Sequence, residues 1–225
     1  MKRFIKILVL CFVSFCLFGC GSEYELNYNL IKQGETSIYE IEGKKYVETT
    51  DESNLVKLDI GNYGIIIAEL YPEIAPISVA NFKKLIGEKF YDGLIFHRVI
   101  KDFMIQTGDP LGNGTGGSEE TIKGEFSLNG VINDISHVRG TLSMARLGGY
   151  PDTEETMNSA SSQFFIVHKD STYLDGNYAA FGSVVNGMDV VDMVAGVSTD
   201  SYDKPIVDQV INSVVFVKEY EEVTK

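Results

Sequence analysis

The sequence predicts a mainly β domain: an antiparallel barrel, closed or nearly closed on itself, with helices at its ends. Three observations carry that expectation. From Leu55 onward the apolar residues fall in short runs of strand length, bounded by Gly, Asn, Asp or Pro. Only two segments, "PISVANFKKLIG" from Pro76 and "MDVVDMVAGV" from Met188, space their apolar residues as a helix does, and they lie far apart. The chain has 225 residues, 44% of them hydrophobic, which is material for one sizeable core. No repeat of solenoid length is visible.

The elements follow in order. Met1 to Ile7 carries Lys2, Arg3 and Lys6 and no acid, and an apolar run then extends from Ile7 to Phe18. A basic start, a run too short to span a bilayer comfortably and a small residue before the cut make a secretory leader over residues 1–19. "LFGC" resembles the bacterial lipobox, so Cys20 is the expected lipidation site. Cys11 and Cys16 leave with the leader, and the mature chain has no disulfide and no cysteine metal site. The net charge of −13 becomes 16 basic against 32 acidic residues, or −16, which excludes a field that attracts nucleic acid or anionic lipid. Membrane contact is therefore expected from acyl chains on Cys20 and not from a basic patch. Residues 20–53 read as an acidic spacer, within which Ser37–Glu48 forms either a hairpin about Glu42-Gly43-Lys44 or a disordered stretch.

The domain proper is expected over 54–220, with a polar tail at 221–225. Leu55 to Glu73 gives two strands about a turn at Gly61-Asn62-Tyr63-Gly64. Pro76 opens the first helix, Ser78 is the candidate cap, Val79, Phe82 and Ile86 share a face, and Gly87 stops it. A Gly-rich loop spans 111–118. Thr141–Arg146, Ser162–His168 and "YAAFGSVVNG" are strands. The second helix puts Met188, Val191 and Val194 on one face, and the segment from Ile206 to Tyr220 reads as one long β stretch.

Two motifs are set aside. Gly112, Gly114 and Gly117 match G-x-G-x-x-G, but Asp109-Pro110 precedes them and the polar "SEETIKGEF" follows, whereas a dinucleotide fingerprint needs a strand before and a helix after. His97, His137 and His168 occur singly, without metal-ligand spacing, and read as hydrogen-bonded structural histidines. The stretch that asks for an explanation is 96–109, "FHRVIKDFMIQTGD". It mixes Arg98 and Gln106 with Phe103 and Met104. An apolar core excludes an unpaired guanidinium, and a plain surface does not expose Phe and Met together. An apolar groove open to solvent, with polar groups at set points, accommodates both.

"FHRVIKDFMIQTGD", "GNGTGG", "GTLSMAR", "SSQFFIV" and "YLDGNYAAFGSVVNGMDVVD" follow in the order and rough spacing of the cyclophilin-type peptidyl-prolyl cis-trans isomerases, and the resemblance runs from about Leu55 to Lys218. It implies a closed eight-stranded antiparallel β-barrel capped by two α-helices, and an enzyme that needs no cofactor and no metal. Arg98 resembles the catalytic arginine, with Gln106 and Phe103 beside it. Met104, Phe165 and Leu174 complete the proline pocket with Phe103. Gln163 orients Arg98 and the substrate backbone, Ala145 is the backbone-contact residue, and Gly114 edges the neighbouring pocket. Tyr173 and Tyr178 depart from the tryptophan and histidine that many members place at the groove, the former being the indole that hydrogen-bonds the inhibitor cyclosporin. Thr107 and Arg146 depart from glycine and asparagine. The loop 147–162 is several residues longer than usual and carries Asp152, Glu154 and Glu155. The implied partners are proline-containing polypeptides, exported or at the surface. The expected form is a monomer, lipid-anchored on the extracytoplasmic face and assisting folding there. A proline-peptide-binding or scaffold lipoprotein without turnover is the alternative.

Overall fold

In the computed structural model, which describes residues 26–221, the sheet begins upstream of the expected domain. Asn29–Gln33 (β1), Thr36–Ile41 (β2) and Lys44–Glu48 (β3) form an antiparallel meander, so the hairpin alternative is the one that forms, turning at Glu42-Gly43. The leader and Cys20 lie outside the described residues.

Leu55–Ile60 (β4) and Gly64–Leu70 (β5) pair about the expected turn, with Ile60 opposite Gly64. Pro76–Gly87 (α1) buries Val79, Phe82 and Ile86 as its spacing requires. Ser78 does not cap it. It lies at the third helical position, and the Glu125 carboxylate instead accepts from Ile77 N at 3.0 Å, Ser78 N at 2.8 Å and the Ser78 hydroxyl at 2.7 Å. A carboxylate at a helix N-terminus satisfies free N–H groups and meets the positive end of the helix dipole. Gly87 is still helical, and Glu88 is the cap residue.

Arg98–Ile100 (β6) and Met104–Thr107 (β7) are a short hairpin. Thr141–Met144 (β8), Glu154–Met157 (α2), Phe164–Val167 (β9), Ala180–Asn186 (β10), Met188–Ala195 (α3) and Ile211–Glu219 (β11) complete the order. The long β stretch expected from Ile206 is a strand only from Ile211; Thr199 and Val210 make single bridges, to Pro205 and Ile95.

The expected closed eight-stranded barrel with two helices is corrected in three respects. One open sheet holds eleven strands in the order β1-β2-β3-β11-β4-β5-β10-β8-β9-β7-β6. It does not close, because β11 already has β3 on one edge and β4 on the other. The free edge of β6 meets irregular backbone instead, with Val99 N donating to Asp203 O at 2.8 Å. A third helix, α2, falls in the long loop.

Period-2 alternation then sorts the side chains. Val99, Ile105, Ile166 and Leu142 are in register across β6, β7, β9 and β8, and all point into the main core with Phe82, Phe96, Phe164 and Phe181. Arg98, Gln106, Phe165 and Ser143 form the next row and face the other way. In β5 the run Ile65-Ile66-Ile67 does not alternate, because both of its faces are buried. Ile66 enters the main core, while Ile65 and Ile67 pack under the N-terminal strands with Ile41, Tyr46 and Val217.

Candidate functional site

The groove lies on the outward face of β6, β7 and β9. Met104, Phe165, Val167 and Leu174 form a buried cluster separate from the main core, with Phe103, Ala145 and Tyr178 packed against it. The structure thus brings Phe103, Met104, Ala145, Phe165 and Leu174 together as an apolar floor. Tyr173, 70% exposed, stacks on Phe103 with ring centroids 6.0 Å apart.

Above this floor runs a directed chain of polar groups. Gln163 Nε2 donates to the carbonyls of Gly116 at 2.7 Å and Gly114 at 3.2 Å. Its Oε1 accepts from Gln106 Nε2 at 2.9 Å, and Gln106 Oε1 accepts from Arg98 at 3.5 Å. Each amide is thereby committed, and Gln106 Oε1 engages one nitrogen of the guanidinium. Arg98 is 43% exposed at its side chain.

The glycine loop is anchored by Asp109, whose carboxylate accepts from Leu111 N at 2.8 Å, Asn113 N at 3.0 Å and Gly114 N at 2.5 Å. A Cβ at Gly116 would lie 2.1 Å from Asp109 Oδ1, so the loop needs glycine there. Burial alone would raise the Asp109 pKa, but these backbone donors outweigh it and hold the carboxyl below its ordinary value. Gly114 therefore acts through its carbonyl and its N–H. Thr107 is accommodated by donating its hydroxyl to Ile95 O at 2.8 Å.

Sequence reasoning missed three supports. His137, fully buried, stacks on Phe165 with centroids 6.1 Å apart. Its nitrogens meet Asp175 Oδ1 at 2.8 Å and Ser143 Oγ at 2.9 Å. Burial pushes the His137 pKa down, against the pull of Asp175. Ser143, His137 and Asp175 are the residue types of a nucleophilic triad, but Ser143 is wholly buried, so the set braces Phe165 from behind. Nothing in the isolated spacing of His137 signals this, since its partner lies 38 residues on. Asp203 places a carboxylate 3.8 Å from Arg98 Nε. The third support is Arg146. It lies between the rings of Phe126 and Tyr178, at 5.3 and 5.0 Å, and pairs with Asp152 at 2.7 Å. Three departures seen in the sequence (Arg146, Tyr178 and the long loop) are thus one contact unit. His97 is buried, but neither of its ring nitrogens has a hydrogen-bond partner among the described residues, which corrects the expectation of a hydrogen-bonded histidine there; burial lowers its pKa. Among the described residues no group of three or more His, Cys, Asp or Glu could hold a metal ion.

The sequence model of a family described as "Cyclophilin type peptidyl-prolyl cis-trans isomerase/CLD" matches residues 55–216. The chain is 44% identical over 144 residues to peptidyl-prolyl cis-trans isomerase ppi1 of Schizosaccharomyces pombe, covering 64% of this chain and 86% of that one. It is 48% identical over 121 residues to peptidyl-prolyl cis-trans isomerase B of Bacillus subtilis, covering 54% and 76%. Among solved structures, a Cryptosporidium parvum cyclophilin-type isomerase crystallised in the presence of the dipeptide Ala-Pro is similar with a TM-score of 0.63 and 32% identity, over 72% of this chain and 97% of that one.

Proposed function

The chain belongs to the cyclophilin-type peptidyl-prolyl cis-trans isomerases, and from that premise we propose that its groove turns Xaa-Pro bonds of exported polypeptides outside the cytoplasm, with Arg98 as the catalytic group. It is a peptidyl-prolyl cis-trans isomerase. The observation that carries the assignment of the site is the oriented, solvent-facing guanidinium of Arg98 beside the apolar floor of Phe103, Met104, Phe165 and Leu174.

Turning the bond means rotating about a partial double bond against about 18–20 kcal/mol. No covalent bond breaks, so the enzyme has only to bind the twisted amide better than either planar form. On twisting, the prolyl nitrogen loses resonance with its carbonyl and gains a lone pair. A fixed guanidinium donor meets that lone pair. The floor holds the pyrrolidine ring still, while Gln106 and Gln163 fix the donor and the flanking backbone. Proline-containing peptides as the ligand class are supported by the similarity to a relative crystallised with Ala-Pro.

The site of action rests on the N-terminal sequence. The basic start, the apolar run and "LFGC" support a lipid anchor at Cys20 on the extracytoplasmic face of the membrane, with the domain acting as a monomer on chains that fold after export. No helix among the described residues is long and apolar enough to cross a membrane. A proline-peptide isomerisation assay tests the catalytic assignment. Arg98→Ala should lose on the order of 3–4 kcal/mol of barrier lowering, and unchanged turnover would refute it. Fractionation of Cys20→Ala tests the anchor: release into the medium or retention of the precursor is expected, and unchanged lipid labelling and membrane association would refute it.

A further inference from the structure

The hairpin of β6 and β7 carries Arg98, Phe103, Met104 and Gln106, yet it sits at the edge of the sheet. Its tip is a tight turn in which Phe103 N donates to Ile100 O at 3.1 Å. Asp102 there has φ of 62°, a left-handed conformation that a non-glycine residue keeps only when its surroundings hold it. What holds the tip is His168 and its neighbour. His168 N and Lys169 N donate to Phe103 O at 2.8 and 3.4 Å, and His168 Nδ1 accepts from Asp102 N at 3.0 Å.

The other ring nitrogen reaches into a second element. His168 Nε2 lies 3.2 Å from Asp192 Oδ1 in α3. Arg139, ahead of β8, fixes that carboxylate with two bonds at 2.7 and 2.8 Å and also donates to His168 O at 2.9 Å. The Arg139 bonds come first among the causes that hold Asp192 below its ordinary pKa. A backbone N–H can only donate, so Nδ1 must present its lone pair, and the proton of the neutral ring sits on Nε2 facing Asp192.

We propose that His168 is a positioning residue for the proline pocket: its Nδ1 lone pair holds the 101–103 turn and so the ring of Phe103, while the contact of Nε2 with Asp192 fixes the tautomer that leaves Nδ1 bare. The inference rests on the reading of Phe103 as a pocket wall. The charged groups that face the ring are Asp192 from α3, Arg139 from the segment before β8, and Asp102 and Lys169, which themselves lie 3.8 Å apart at the tip.

Two substitutions separate the two nitrogens. His168→Asn places an amide oxygen where Nδ1 lies and can still accept from Asp102 N. His168→Gln reaches Asp192 with an amide N–H but leaves Asp102 N without an acceptor. Isomerisation of an Xaa-Pro peptide by the full chain, resolved into kcat and KM, reads the difference. His168→Gln should raise KM roughly five- to tenfold at about pH 7.5, the equivalent of one lost neutral hydrogen bond. His168→Asn should restore KM to within about twofold of the native value. Equal KM for the two variants overturns the proposal. Long-range proton–nitrogen NMR of the native chain provides a reading without mutation: protonated Nε2 and bare Nδ1 are expected, and the opposite tautomer contradicts the proposal. Arg98→Ala is the control. If it loses turnover while the His168 variants match the native enzyme, the inference about His168 fails alone; if Arg98→Ala keeps turnover, the groove assignment and the inference fall together.

Discussion

The outer face of β4, β5 and β11 and the outer face of β6, β7 and β9 both carry apolar side chains, but among the described residues only the first is covered by further strands, while the second is packed by loop residues and leaves the side chain of Arg98 43% exposed. Over β5, the N-terminal strands bury Ile65, Ile67 and Val217 with Ile41 and Tyr46. Lys57, Tyr46 and Asn186, drawn into that layer, find partners within it. Lys57, 3% exposed at its side chain, pairs with Glu48 under the ring of Tyr39. Tyr46 donates to Asn186, whose amide donates to Glu42 at 2.7 Å. Over β7 and β9 none of the described residues lays down such a strand layer, and the side chain of Arg98 stays 43% exposed. The two regions use the same sheet geometry, and what marks one of them as the proposed site is an exposed guanidinium beside an apolar floor.

Substitutions can sharpen this contrast. The largest stability effect is expected in the covered layer. Tyr46→Ala removes a fully buried ring and should cost about 3–5 kcal/mol, read as a lower denaturation midpoint, with turnover of the folded fraction preserved. A smaller effect, on activity alone, is expected in the groove. Gln163→Leu cuts the link from the glycine loop to Gln106 and should lower kcat/KM roughly tenfold, with the midpoint little changed. If the midpoint falls instead, the amide chain is a structural support and not an orienting one.

Acid acts on the groove through Asp109. Its pKa is depressed in the folded chain, so its contribution is present above the unfolded value of about 3.9 and is lost as pH falls through the lower folded value. Amide-exchange protection of Leu111, Asn113 and Gly114 should therefore hold at about pH 4.5 and fail only below about pH 4. Failure already near pH 5 would mean that Asp109 is not the anchor. The smallest effect is at Tyr173, whose ring stacks on Phe103 with its edge free in solvent. Tyr173→Trp should tighten cyclosporin by at most about tenfold, the upper range for one neutral hydrogen bond, and leave turnover alone.

The parts legible in the sequence were those written in local pattern. The turn at Gly61-Asn62-Tyr63-Gly64 joins β4 to β5, and the spacing of Val79, Phe82 and Ile86 sets the buried face of α1. The unbroken run of isoleucines in β5 was the one local sign of a second layer, because a strand with one wet face alternates. What was not legible depends on partners distant in the chain. Ser78 has the residue type of a cap, but Glu125, 47 residues away, does the capping. His137 and His168 looked like isolated histidines; their meaning lies in Asp175 and in Asp102 and Asp192. The short α2 is set by a capping box of Thr153 and Thr156 over one turn, too little length for an apolar period to show.

The most direct test pairs one residue from each region: turnover of an Xaa-Pro peptide and the denaturation midpoint, measured together for Arg98→Ala and Tyr46→Ala. The account predicts opposite outcomes. Arg98→Ala should lose a hundredfold or more in kcat/KM, about 3–4 kcal/mol of barrier lowering, with a stability change of about 1 kcal/mol or less. Tyr46→Ala should lose stability and keep the turnover of the folded fraction. If Arg98→Ala lowers the midpoint and leaves turnover intact, the exposed guanidinium is a structural partner of Gln106 and Asp203, and the groove is not where the bond is turned.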